Sequence, residues 1–178
     1  MTEPIDSLFS TPKMSNVFSP EAHVRGMLAF EAALARAEAL AGIIPQEAAK
    51  AIAATSRVEL FDVDALYREA AVAGTPAIPL VRMLTALVEG DAQKFVHWGA
   101  TSQDAIDTAL MLQMRDGLDL LVDGLLGVCA ACAKLAERHR RTLMADTPPA
   151  GIADHLWPQG RALVGPCGTP GTCVASAS

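Results

Sequence analysis

An all-α fold is what three features of these 178 residues predict. Hydrophobic residues make up 51% of the chain while aromatics make up only 4%. The apolar content is therefore mostly Ala, Leu and Val, a composition that suits packed helices better than a β-sandwich. Apolar residues also recur at spacings of three and four through much of the N-terminal half, the period of one helix face. Finally, from Leu110 to Leu135 that period runs on without a proline, so one helix is predicted to be far longer than the rest.

The elements follow in order. Ser19-Pro20-Glu21 is a helix start: a capping hydroxyl, a proline at the first helical position and an acid in the first turn. The helix is expected to run to about Ala41, with Met27, Phe30, Leu34, Ala37 and Ala41 on its inner face and Gly42 as its C-terminal cap. Pro45 to about Thr55 reads as a second, Ala-rich helix, and Asp62 or Asp64 can cap a third through ALYREAAVAG. The stretch AGTPAIPLVRMLTALVEG breaks at Gly74 and Pro76, then resumes a helical pattern after Pro79 through Ile78, Val81, Leu84, Leu87 and Val88. Gly90 ends it, and Asp91 to Ala100 reads as a polar connection holding two aromatics.

Leu110, Met114, Gly117, Leu121, Leu125, Val128, Cys132 and Leu135 then form a near-heptad ladder, which predicts a helix from about Ser102 to His139. At about 1.5 Å per residue such a helix is roughly 55 Å long. Its stripe has to be buried against helices of similar length, so a bundle and a homo-oligomer are expected. From about Asp146 the period disappears, Glu and Lys are absent, and Pro and Gly crowd together. Low complexity of this kind is typical of a disordered tail.

A net charge of −6 argues against nucleic acid as a partner. The short cluster Arg138, Arg140 and Arg141 suits the carbonyl end of a helix dipole. No apolar run approaches about 20 residues, and MTEPIDSLFS lacks the basic and apolar regions of a secretory signal. No membrane association and a cytoplasmic location are expected. Cys129 and Cys132 form a C-x-x-C on one helix face and read as buried, inert thiols; Cys167 and Cys173 lie in the tail, and no metal site is expected.

One run has a different character. In HWGATSQD, Gly99 permits a tight backbone path, Thr101 or Ser102 can cap the long helix, and Gln103 and Asp104 fall in its first turn. Unpaired N–H groups, the positive end of the helix dipole and two hydroxyls would together hold a carboxylate. The same residues also make an ordinary cap, with His97 and Trp98 packing the preceding loop.

The run VHWGATSQDAIDTALMLQMRDGL, Val96 to Leu118, resembles the first signature region of the fumarase/aspartase superfamily. Its WGATSQD wording, with FEAALARAEA at Phe30 to Ala39 and AIPLVRMLTALV at Ala77 to Val88, is similar to the 3-carboxy-cis,cis-muconate cycloisomerases. The resemblance covers about Leu8 to Met144. It implies lactonisation of a tricarboxylate muconate, in protocatechuate breakdown by the β-ketoadipate pathway, with no metal or organic cofactor. Thr101, Ser102 and Gln103 would contact substrate carboxylates, with His97 beside them. It also implies a homotetramer whose active sites draw on several subunits. Residues 1–100 would form an N-terminal helical domain, 101–144 the first long helix of a central bundle, and 145–178 the tail.

The chain departs from that family. His23 and Thr75 stand where relatives commonly carry Arg and Asn. A second signature region and the loop G-S-S-x-M-P-x-K-x-N, whose serine would be the base, are not found in the sequence, so no catalytic residue is assigned and the chain alone is expected to be inactive. The tail offers a reason. Asp154 to Val164, DHLWPQGRALV, read one base later with permitted codons, gives TIFGLKAARWL. That peptide resembles the T-F-G-x-K-x-A-x-W segment following the long helix in the family, so residues after about Met144 are expected to be out-of-frame translation. Two other readings stay open: an adenylosuccinate- or argininosuccinate-lyase-like enzyme, and a non-enzymatic helical oligomerisation module.

Overall fold

A computed structural model describes residues 6–142, and among them every regular element is helical. The order is α1 (Asp6–Phe9), α2 (Pro12–Val17), α3 (Pro20–Leu40), α4 (Gln46–Thr55), α5 (Val63–Ala73), α6 (Ala77–Leu87) and α7 (Ser102–Arg138), with 3-10 turns at Val58–Leu60 and Gly90–Phe95. The described residues through Ala131 form one compact unit, and those from Cys132 belong to a second. The tail and its two cysteines lie outside the described residues.

Local chemistry sets the helix ends. The Ser19 side chain accepts from the Ala22 N–H at 3.2 Å, with Pro20 as the first residue of α3. Asp62, rather than Asp64, caps α5 by accepting from the Ala65 N–H at 2.9 Å. Gly74 closes α5 in the left-handed conformation, at φ 76°. Helix α6 starts at Ala77 rather than after Pro79. Pro79 falls within the first turn, where a missing N–H breaks no intrahelical bond.

The core gathers Met27, Leu28, Ile52, Leu66, Leu80 and Leu84, all fully buried, with Val24 and Val88 beside them. Side chains of this size each contribute about 1.5–3 kcal/mol on burial. Helix α3 packs on α4, and α5 on α6. The inner face of α3 is rotated from the expected one: Met27 is buried and Phe30 and Leu34 are half-buried, but Ala37 and Ala41 are exposed. Glu31, Ala35, Glu38 and Ala39 take the inner positions instead. In α6, Ile78 is exposed, and Ala77, Leu80 and Leu84, spaced three and four apart, take the inner positions.

Helix α7 meets α3 through small residues. Ala105 and Ala109 are fully buried, and a Cβ added at Gly26 would lie 2.9 Å from Ala109 Cα and Cβ. Glycine at 26 thus lets the two helices approach closely. Farther along, Gln113 Nε2 donates to the Val17 carbonyl at 2.8 Å, and Gly117 lies under the Phe18 ring.

The ladder of α7 is only partly inside. Gly117 is buried, whereas Leu110, Met114, Leu121, Leu125 and Val128 are exposed, as are Cys129 and Cys132. The expectation of buried thiols is therefore corrected for the chain by itself: the buried residues of α7 end at Gly117, and every described residue from Leu121 onward is exposed.

Candidate functional site

The polar run sits between the 3-10 turn and α7. Thr101 is the hinge: its backbone N–H and its hydroxyl both donate to Asp104 Oδ2, at 2.9 and 2.8 Å, while the Asp104 N–H reaches back to Thr101 Oγ1 at 3.4 Å. This reciprocal pairing closes the first turn as a capping box does. Donation from Thr101, through the backbone first and then the hydroxyl, holds the Asp104 carboxyl below its ordinary value, with a smaller pull from His97.

The four expected contact residues are therefore placed differently from one another. Thr101 is exposed and engaged with Asp104. Gln103 is exposed, and its Nε2 donates to Asp107 Oδ1 at 2.6 Å, one turn along the helix. Ser102 is half-buried, and its hydroxyl has no partner among the described residues. His97 lies within the fold, its side chain 14% exposed.

His97 is held in an unusual way. Its backbone is left-handed, at φ 58°, the one such non-glycine residue among those described. For an L-residue that conformation costs about 1–2 kcal/mol, and it persists where surrounding contacts fix the residue. Two contacts from α3 do so. Glu31 Oε1 lies 2.6 Å from His97 Nδ1, and Phe30 packs edge-on to the imidazole with centroids 6.5 Å apart. Gly99, also left-handed, then turns the chain toward α7. Trp98 is half exposed and leans on Phe95.

Glu31 was not anticipated from the sequence. Its side chain is fully buried, and its Oε2 has no hydrogen-bond partner among the described residues. Burial raises its carboxyl above the ordinary value, opposed by the contact with His97. Glu38, two turns along α3, is also buried, with its own unpartnered oxygen; burial raises its carboxyl, and the charge of Glu31 adds to the effect. A signal was present: the residues three and four away from Glu31 are Met27, Leu28, Leu34 and Ala35, all apolar. An acid surrounded in this way on a helix faces inward with its neighbours.

The two departures have local partners. His23 Nδ1 lies 2.9 Å from the Tyr67 hydroxyl, joining α3 to α5. Burial lowers the His23 pKa and raises that of Tyr67, so both side chains favour their neutral forms. Thr75 Oγ1 accepts from the Ala77 N–H at 3.4 Å, at the start of α6. Among the described residues no group of three or more acids, histidines or cysteines is placed to hold a metal ion, and no helix is long and apolar enough to cross a membrane.

In chemical terms the start of α7 offers a helix N-terminus and the Ser102 hydroxyl, groups of the kind that hold an anion. Asp104 is a built-in competitor for the same positive end.

Comparison with known proteins identifies the family and the fold. A family profile described as lyase matches residues 8–146. The chain is 46% identical over 149 residues to the 3-carboxy-cis,cis-muconate cycloisomerase of Pseudomonas putida, covering 82% of this chain and 34% of that protein. The crystal structure of the 3-carboxy-cis,cis-muconate lactonizing enzyme from Pseudomonas putida superposes with a TM-score of 0.65 at 48% identity, over 67% of this chain and 28% of that one. The β-carboxy-cis,cis-muconate cycloisomerase structure from Acinetobacter calcoaceticus sp. ADP1 gives a TM-score of 0.76 at 38% identity, over 82% of this chain and 35% of that one. The chain thus spans about a third of the length of the curated relatives it matches. With its helical core, its capped long helix and these matches, the chain belongs to the lyase family of the fumarase/aspartase superfamily.

Proposed function

We propose that this chain supplies one wall of a lactonising site for 3-carboxy-cis,cis-muconate, with Thr101, Ser102, Gln103 and His97 facing the substrate. The observation that carries the reading is the capped N-terminus of α7 beside a histidine pinned in a left-handed conformation. In the reaction one carboxylate oxygen of the muconate bonds to an alkene carbon. The alkene electron pair moves toward a second carboxylate, which becomes enolate-like, and a proton then arrives at the carbon between them. N–H groups and a hydroxyl at a helix terminus stabilise such developing negative charge. In this reading the wall holds the carboxylates and the proton donor lies elsewhere, so no residue of this chain is given the catalytic base.

The exposed side of α7 supports assembly. Leu121, Leu125 and Val128 are each more than half exposed, and a stripe of this length on a helix calls for a partner surface. In this reading the partner is another copy of the lyase fold, the whole assembly is a homotetramer and its location is the cytoplasm.

Two measurements test the proposal. Incubating the chain with 3-carboxy-cis,cis-muconate and following loss of the conjugated-diene absorbance should show no turnover; turnover at an enzymatic rate would refute the reading that the chain is only one wall. Resequencing the gene around the codon for Met144 should reveal a single-base correction that opens a frame encoding TIFGLKAARWL. Codons incompatible with that peptide would remove the out-of-frame explanation of the tail.

A further inference from the structure

We propose that Glu31 is the positioning residue of this site: its buried carboxylate accepts from the Nδ1–H of His97 and so leaves Nε2 as the nitrogen that takes up a proton and donates to the bound anion. The inference rests on the carboxylate-binding reading of the α7 corner.

Geometry carries it. The 2.6 Å contact joins a side chain with no exposure to one that is 14% exposed, so both partners meet away from water. Taking a carboxylate out of water is unfavourable unless a partner compensates. Among the described residues the one ionisable group within ion-pair distance of Glu31 is His97. Simple packing would be served better by an apolar residue at position 31, since Met27, Leu28, Leu34 and Ala35 surround it on the same helix.

The backbone supplies an independent observation. A loop that only had to turn here would take glycine, as it does two residues later at Gly99. Histidine at φ 58° instead keeps a strained residue whose side chain reaches back to α3. Helix α3 is a rigid support, and sites braced on helices hold their geometry better than sites on loops alone. With Nδ1 taken by Glu31, Nε2 is the remaining ring nitrogen, and Gly99 turns the chain from His97 into the start of α7. A hydrogen bond at one imidazole nitrogen sets the role of the other. Glu31 thereby fixes both the orientation of His97 and the nitrogen it presents.

The test reads the ring nitrogens directly. The intact chain, labelled with 15N-histidine, is examined near pH 8 by long-range proton–nitrogen correlation. Nδ1 of His97 should carry a downfield proton in slow exchange with water. Glu31→Gln keeps an acceptor oxygen and should keep that proton; Glu31→Met removes the acceptor and should lose it, with the backbone spectrum otherwise retained. A purely structural Glu31 would not make the tautomer follow the acceptor. A native ring with bare Nδ1 and protonated Nε2 overturns the inference without any variant having to fold, and so does a Met variant that retains the native pattern. Adding 3-carboxy-cis,cis-muconate separates the two readings. A protonated Nδ1 whose ring does not respond to the ligand counts against the carboxylate site and leaves the Glu31 assignment standing.

Discussion

Replacing Gly26 with alanine tests the closest approach in the fold, where α3 supports the start of α7. Two terms of opposite sign meet there. In a helix interior, alanine is favoured over glycine by about 0.8–1.0 kcal/mol. The new Cβ would lie 2.9 Å from Ala109 Cα and Cβ, closer than real contacts allow, and one of those atoms is backbone. Overpacking of this kind costs about 1–3 kcal/mol. The sum is a change between about zero and 2 kcal/mol of destabilisation. Gly124→Ala provides the matching control: the residue lies in α7 with nothing within 4 Å of an added Cβ. It should stabilise by about 0.8–1.0 kcal/mol. The difference between the two variants isolates the packing term, about 1–3 kcal/mol. Urea unfolding followed by circular dichroism, with both variants at the same protein concentration, gives both values. Equal stabilisation by the two alanines would refute the close approach of α3 and α7. Ala109→Gly should not restore Gly26→Ala, because the Ala109 Cα, which the new Cβ also meets at 2.9 Å, remains in place.

Two further outcomes follow from side chains already described. Changing Leu121 and Leu125, both more than half exposed, to lysine should reduce self-association in sedimentation velocity while leaving the helical signal intact; unchanged association would place the partner surface elsewhere. The His23–Tyr67 pair predicts a pH dependence. Burial depresses the folded pKa of His23, so the unfolded chain binds the proton more readily and stability falls as pH drops below the ordinary histidine value of about 6.5. His23→Gln should flatten that part of the stability profile, and a slope unchanged by the substitution would remove His23 as its source.

The sequence was most informative where structure is local. Ser19 and Asp62 cap their helices, and Thr101 pairs with Asp104, because each cap depends on residues within one turn. The long helix was legible from its period. The inner face of α3 was not, because Glu31 and Glu38 read as polar although their seams are apolar, and the large residues Phe30 and Leu34 drew the face round toward themselves. The α3–α7 contact was hidden for a related reason: Gly26, Ala105 and Ala109 carry little hydrophobic signal, yet their small size is what allows the approach. Within the candidate site the corner itself was visible in HWGATSQD. Its brace was not, since Glu31 lies 66 residues before His97 and meets it only through the packing of the fold.

The most direct test of the central claim is a calorimetric titration of the chain with 3-carboxy-cis,cis-muconate and, separately, with its neutral trimethyl ester. A helix terminus with its N–H groups and a hydroxyl recognises charge, so the triacid should bind saturably, weaken as salt is raised, and lose about tenfold in affinity or more in Ser102→Ala, the scale of one hydrogen bond to a charged group. The ester should not bind. Equal binding of acid and ester, or triacid binding that Ser102→Ala leaves unchanged, would contradict the account.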